Sequence, residues 1–129
     1  MKNMFKTARK GLCALPIAAL FAALLCSGCA IVKSSSEGGR EMVAIENSCW
    51  YLLNCIPLAS GNPEAPNERD FKFGVKTMTL DNNMRMLEAE MARRGFTRYR
   101  DLVSYTADES YLVILLKRRS LYTSAELRP

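Results

Sequence analysis

The sequence predicts an α+β domain in which one amphipathic helix packs on a small, mainly antiparallel sheet, in the order β-β-α-β-β. Three observations carry that expectation. Residues 79–96, TLDNNMRMLEAEMARRGF, hold an apolar stripe at helical spacing between a capping residue and a glycine. Stretches on both sides of this segment alternate apolar and polar residues at period two, the pattern of half-buried strands. The proline- and asparagine-bearing run IPLASGNPEAPNERD, 56–70, separates the first two such stretches and reads as a loop.

In chain order, the first 28 residues stand apart from the rest. They hold four of the 18 basic residues (Lys2, Lys6, Arg9, Lys10) and none of the 13 acidic ones, leaving 14 against 13 from Cys29 onward. The net charge of +5 is therefore mostly N-terminal. The remainder is no basic domain, and nucleic acid is not an expected partner. After the positive start comes an apolar run at 11–25, of signal-peptide length and short for a membrane-spanning helix, followed by the small residues Cys26, Ser27 and Gly28. An uncleaved anchor is the alternative, because no charge occurs from Gly11 to Val32.

The run LCSGC, ending at Cys29, resembles the lipobox of bacterial lipoprotein precursors, with Cys26 standing where that pattern usually has leucine. The resemblance covers the first 30 residues. It implies cleavage between Gly28 and Cys29, a diacylglycerol on the Cys29 thiol and acylation of the new amine. Ala30 in place of aspartate implies, by the same resemblance, delivery to the outer membrane with the domain facing the periplasm. The membrane, reached through that lipid, is then one partner, and a second envelope protein is another. On this reading the chain divides into a signal peptide (1–28), a lipidated N-terminus with a flexible tether (29–41) and a small α+β domain (42–129). The Ser/Gly-rich stretch 30–40 has no sustained periodicity, and as a random coil it would span roughly 18 Å.

Within the domain, Val43, Ile45, Cys49, Tyr51 and Leu53 alternate along a first strand, with Asn47 interrupting the apolar face. Phe71, Phe73 and Val75 alternate with Lys72 and Lys76 in a second strand over 71–77. In the helix, Thr79 or Asp81 can cap the start; Leu80, Met84, Leu87 and Met91 form the stripe; Arg93 and Arg94 occupy the last turn; Gly95 ends it. Two strands follow, 97–106 and 110–118, joined through a short polar turn at Ala107, Asp108 and Glu109. The second is apolar on both faces up to Leu116, as a central strand would be. The tail from Ser120 extends the sheet or frays.

Chemistry is bounded first by the lack of histidine anywhere in the chain, which excludes Ser-His-Asp and Cys-His catalysis and histidine-ligated metal sites. No metal or cofactor site and no enzyme activity are expected. The one Gly pair, Gly38-Gly39, falls in the expected tether with no strand before it, so it is no phosphate cradle. Cys49 and Cys55 are open to three readings: buried hydrophobes, a disulfide or a reactive thiol. Six residues of straight strand would hold them roughly 20 Å apart, so pairing needs a sharp reversal between them. Glu88 and Glu90 fall on the helix's polar side, and Asp108 and Glu109 in the turn, all as solvated charges.

Arginine supplies the one suggestive cluster. Arg93, Arg94, Arg98 and Arg100 fall within eight residues, and Lys117, Arg118 and Arg119 end the last strong strand. Pairing through the 107–109 turn would set residues near 98 opposite those near 118. That makes a candidate anion-binding patch for lipid headgroups or a small acidic ligand, against the alternative of strand-edge charge kept for solubility.

Residues 49–116 also resemble small bacterial envelope lipoproteins of the TRL-like kind. The features are the WYLLNCIPLASGNP run, the helix ending at Gly95 and the DLVSYTADESYLVILL segment. The likeness is one of element order and implies no catalytic residues. The functional expectation is a lipid-anchored envelope protein whose small non-catalytic domain is an interaction or structural module. The alternative is a headgroup- or small-ligand-binding module built on the arginines.

Overall fold

The structure, a computed structural model, describes residues 30–68, 70–111 and 115–129. The expected signal peptide, its cut after Gly28 and the lipidation of Cys29 lie outside the described residues. Strand β1 (Ala30–Glu37) is followed by β2 (Arg40–Leu52), β3 (Ile56–Gly61), β4 (Phe71–Phe73), helix α1 (Leu80–Arg94), β5 (Arg98–Tyr111) and β6 (Leu116–Arg128). All the strand pairs are antiparallel, in the order β4-β3-β2-β6-β5, with β1 also on β2. The coarse expectation of a small antiparallel sheet carrying one helix is met. Among the described residues, four strands rather than two precede the helix.

The expected tether is instead β1. It pairs with Arg40–Asn47 of β2, from Ala30 opposite Asn47 to Glu37 opposite Arg40. Gly38 and Gly39 make the connection, both at positive φ (58° and 78°). A two-residue hairpin turn needs such backbone at both positions, which glycine alone adopts without strain. A strand therefore does precede the Gly pair, and the pair is a hairpin turn. β3 lies in the expected loop, beside Cys49–Leu52 of β2, so β1 and β3 share one side of the long strand end to end. Pro57 is tolerated because β4 joins β3 only from Ala59 onward, leaving no neighbour on that side to require its missing N–H.

Helix α1 starts and stops where its local chemistry dictates. Thr79 Oγ1 accepts from the Asn82 amide at 3.2 Å, and Asp81 lies inside the first turn. Gly95, at φ 77°, ends it, with its own N–H donating to Ala92 and that of Phe96 to Met91, a Schellman closure. The buried face is rotated from the expected stripe. Leu87 and Met91 point inward as expected, but Asn83, Met86 and Glu90 join them and Leu80 is 50% exposed. The core sits between this helix and one sheet face: Met86, Leu87 and Met91 meet Val43, Ile45, Ala125, Leu127 and Ala30.

A buried polar seam continues that layer. Asn47, which interrupts the apolar pattern of β2, donates from Nδ2 to the Thr77 carbonyl at 2.9 Å; Asn82 does the same at 2.7 Å. Asn83 donates to the Leu121 carbonyl and to Thr123 Oγ1, at 3.2 and 3.0 Å. Ser60 and Thr77 share a 2.6 Å hydroxyl contact. These bonds fasten the irregular 75–79 segment across the sheet, so the strand expected over 71–77 stops at Phe73.

The largest difference concerns the last hairpin. The reversal falls after Tyr111, which pairs with Leu116, and Ala107–Glu109 run straight inside β5 opposite Ser120, Arg119 and Arg118. The tail from Ser120 does not fray. It is the body of β6, paired on both sides by β2 and β5.

Candidate functional site

With the hairpin placed, the basic residues separate into two groups. Arg98 lies opposite Arg128, whereas Arg118 lies opposite Glu109, so strand rise puts the two ends roughly 33 Å apart. At one end, Glu90 accepts from Arg93 Nε (2.8 Å) and Nη2 (2.7 Å) and from Arg94 Nε (2.7 Å). Those hydrogen bonds, Arg93's foremost, hold its carboxyl below the usual range although burial opposes them. Arg94 also donates to Glu41 at 3.0 Å and to Ser34, tying helix to β1 and β2. Arg98 and Arg100 are exposed at the start of β5, Arg100 beside Asp101 at 3.4 Å.

At the other end, on the helix side of the sheet, Asp108 accepts from Arg119 (2.8 and 3.2 Å) and faces Lys117 Nζ at 2.8 Å. Arg119 stands 5.6 Å above the Tyr51 ring. Arg118 points to the opposite face. The seven basic residues do not form one patch, and Arg93, Arg94, Lys117, Arg118 and Arg119 all have carboxylate partners. The acids differ from expectation in the same way. Glu90 is buried, and Asp108 and Glu109 are strand residues.

Cys49 and Cys55 are free thiols. Cys49 is buried on the helix side of β2, beside Tyr51, Met78 and Leu121, while Cys55 is exposed in the turn after Leu52. Burial pushes the Cys49 thiol up and the Tyr51 phenol up to about 12, so neither is a ready nucleophile near neutral pH. Asp101, at the bulge of β5, is at the far end of the sheet from Cys49.

The sheet face turned away from the helix offers a better site. Antiparallel register sets its residues in transverse rows. Glu46, Tyr122 and Tyr105 form one; Ser48, Ser120 and Ala107 the next; Trp50, Arg118 and Glu109 the third; Leu52, Leu116 and Tyr111 the last. Small side chains in the second row let Arg118 reach past them to Glu46 at 2.7 Å, and Arg118 stands 3.7 Å from Glu109. Tyr122 donates to the same Glu46 oxygen at 3.2 Å. Tyr105 and Tyr122 stack at 5.1 Å and 19°, and Trp50 meets Tyr111 at 5.2 Å and 45°. Two aromatic pairs thus flank an ion cluster.

Beside the tyrosine pair lies a shallow concavity of ≈ 230 Å³, lined by Ile31, Lys33, Ala44, Glu46, Tyr105 and Tyr122. Burial, and then the Glu46 charge, push the Tyr122 phenol up, so it stays a neutral donor. The arrangement can hold an apolar or ring-bearing group by stacking, with Lys33 at its rim. Sequence reading missed it because Tyr122 fell in a tail of undetermined fate. Once β6 is known to run to Arg128, the period-two placement of Val103, Tyr105 and Ala107 opposite Tyr122 is the signal. Among the described residues no group of three or more His, Cys, Asp or Glu side chains is placed to hold a metal ion. No helix of the described residues is long and apolar enough to cross a membrane. Comparison with protein-family models, curated proteins and solved structures gives no match.

Proposed function

We propose that this chain is a bacterial envelope lipoprotein: lipid-anchored through Cys29, outer-membrane and periplasm-facing, with a small non-catalytic domain that binds a partner at the exposed Tyr105–Tyr122 end of the sheet face opposite α1. The observation that carries the reading is the run LCSGC placed immediately before the first strand. Ala30 is 1% exposed and belongs to the core, so a lipid on Cys29 would be one residue from the folded body. Such a domain would ride against the bilayer rather than on a leash. Each buried methylene contributes about 0.8 kcal/mol, so the two or three acyl chains of a processed lipoprotein hold the protein firmly.

Binding rather than catalysis is supported by where the ionisable groups go. Glu46, Glu90 and Asp108 sit in ion pairs, and the buried thiol is held in its protonated form. The stacked tyrosines leave an aromatic surface of the kind that recognises a partner's apolar side chain. A module gathering all the arginines around an anion is not supported, because they divide between the two ends of the sheet.

Metabolic labelling with a fatty acid in a bacterial host, followed by membrane fractionation, tests the anchor. Wild type should take up label and stay with membranes, and Cys29→Ser should lose the label and be released or left unprocessed. Wild-type protein that stays in membranes without label would instead establish the uncleaved apolar segment as the anchor and sink the lipoprotein reading.

A further inference from the structure

The sheet manages its edges unequally. β4 is three residues long. The outer side of β1 is partly closed by Asn67, whose side chain accepts from the Val32 amide at 2.9 Å and whose own amide donates to the Ala30 carbonyl at 2.8 Å. β5 is 14 residues long, is the last strand of the sheet order, and is exposed along nearly its whole length. Its exposed side chains include Val103 (55%) and Tyr105 (58%) as well as Tyr99 and Leu102. A long edge carrying exposed apolar residues is a template for pairing with another strand.

Its charges say which strand. Protected edges carry like charges, which repel a second copy. Here the balance of sign changes along the strand: Arg98 and Arg100 outnumber Asp101 at the start, and Asp108 and Glu109 stand near the end. Antiparallel pairing of two such strands sets each basic end against the other's acidic end, whereas parallel pairing sets like against like. Register is constrained further, because opposed residues must share a face. Arg100, Val103, Tyr105, Ala107 and Glu109 all lie on the face opposite α1, since they oppose Glu126, Ser124, Tyr122, Ser120 and Arg118 of β6, with the bulge at Asp101–Leu102 absorbing the change in spacing.

We infer that β5 is a homodimer interface, in which two copies join edge to edge, antiparallel, about a two-fold axis at Tyr105. In that register Tyr105 opposes the partner's Tyr105, and Val103 opposes the partner's Ala107. The two bulge residues, Asp101 and Leu102, oppose the partner's Asp108, and Arg100 meets the partner's Glu109. The Asp–Asp opposition is offset within each chain by Arg100 beside Asp101 and by Lys117 and Arg119 on Asp108. Arg100 and Glu109 are both more than half exposed, and each would exchange or share an intrachain contact on pairing: Asp101 at 3.4 Å from Arg100, and Arg118 at 3.7 Å from Glu109, which also accepts from the Tyr111 hydroxyl at 2.8 Å. The row Tyr122–Tyr105 then continues into the partner's Tyr105 and the partner's Tyr122, one aromatic strip across a sheet shared by both chains. This inference is independent of the lipid anchor and of what the concavity holds.

Sedimentation equilibrium of the full chain in density-matched detergent should give a dimer. Arg100→Glu and Glu109→Arg should each weaken it about tenfold, and the double reversal should recover most of the loss, as expected for two symmetric ion pairs turned from attractive to repulsive. Because Glu109→Arg also places a cation near Arg118, a second measurement is independent of it. Under mild oxidation, in a Cys55→Ser background, Tyr105→Cys should give a covalent dimer above the parent's level, since directly opposed Cα atoms lie about 4.5–5.5 Å apart. Tyr111→Cys should not, because in this register its two copies are about 40 Å apart by strand rise. A monomer, equal cross-linking at 105 and 111, or a double reversal no better than the singles with wild-type Trp50 fluorescence would each overturn the interface.

Discussion

Replacing Asp108 by Asn removes one charge from the cluster at the β5–β6 end while keeping the side chain's shape. The hydrogen bond from Arg119, and then that from Lys117, hold its carboxyl down at about 2, against an ordinary value of 3.8. A carboxylate depressed in the folded state contributes stability above its unfolded value and loses it as pH falls through the folded one. The window is therefore from about pH 4 down to about pH 2. Converted in full, that difference is about 2.5 kcal/mol. The side chain is 39% exposed, however, and solvent screening leaves about 1 kcal/mol. Urea unfolding followed by the fluorescence of Trp50, the sole tryptophan and fully buried, reads the loss directly. At pH 7 Asp108→Asn should unfold about 1 kcal/mol more easily, the gap should close by about pH 2, and molar salt should narrow it at pH 7. A gap undiminished at pH 2, or none at pH 7, would refute the shared cluster and the register that creates it.

Gly95→Ala should cost about 1 kcal/mol in the same titration, because a Cβ there meets nothing within 4 Å and the whole penalty is left-handed backbone at φ 77°. Gly95→Asn should cost less, and equal costs would contradict that cause. In the folded protein a maleimide should modify Cys55 and spare Cys49 until denaturant is added; comparable labelling of both, read by peptide mass, would contradict the buried placement of Cys49.

How far the sequence foretold the site depends on the range over which each signal acts. The helix was legible because its caps are local: a threonine oxygen reaches three residues on, and a glycine closes its own last turn. Its buried face was not, since Asn83 and Glu90 are drawn inward by Leu121, Thr123, Arg93 and Arg94, most of them distant or outside an apolar pattern. The Gly38-Gly39 hairpin was legible in principle, as a two-residue turn between stretches that can pair, but Ser34, Ser35 and Ser36 disguised β1 as a tether. Ala107–Glu109 looked like a turn by composition. They stay extended because Arg119, Lys117 and Arg118 lie across from them, a fact available only once register is known.

By itself, then, the sequence determined a small α+β domain with one capped helix, no histidine chemistry, and an N-terminal run that resembles a lipoprotein export signal. Each of these depends on neighbours within a few residues or on composition alone. The tertiary structure decided the rest: that 30–37 is a strand, that 56–61 is another, that the arginines part company, and that Tyr105 and Tyr122 stack on the sheet face opposite α1. Strand pairing couples residues up to 86 positions apart, as Glu41 and Leu127 are, and a shift of one residue in that pairing would turn every side chain to the opposite face. Where a charge or a ring faces across a sheet is fixed by that long-range register, which no local pattern carries.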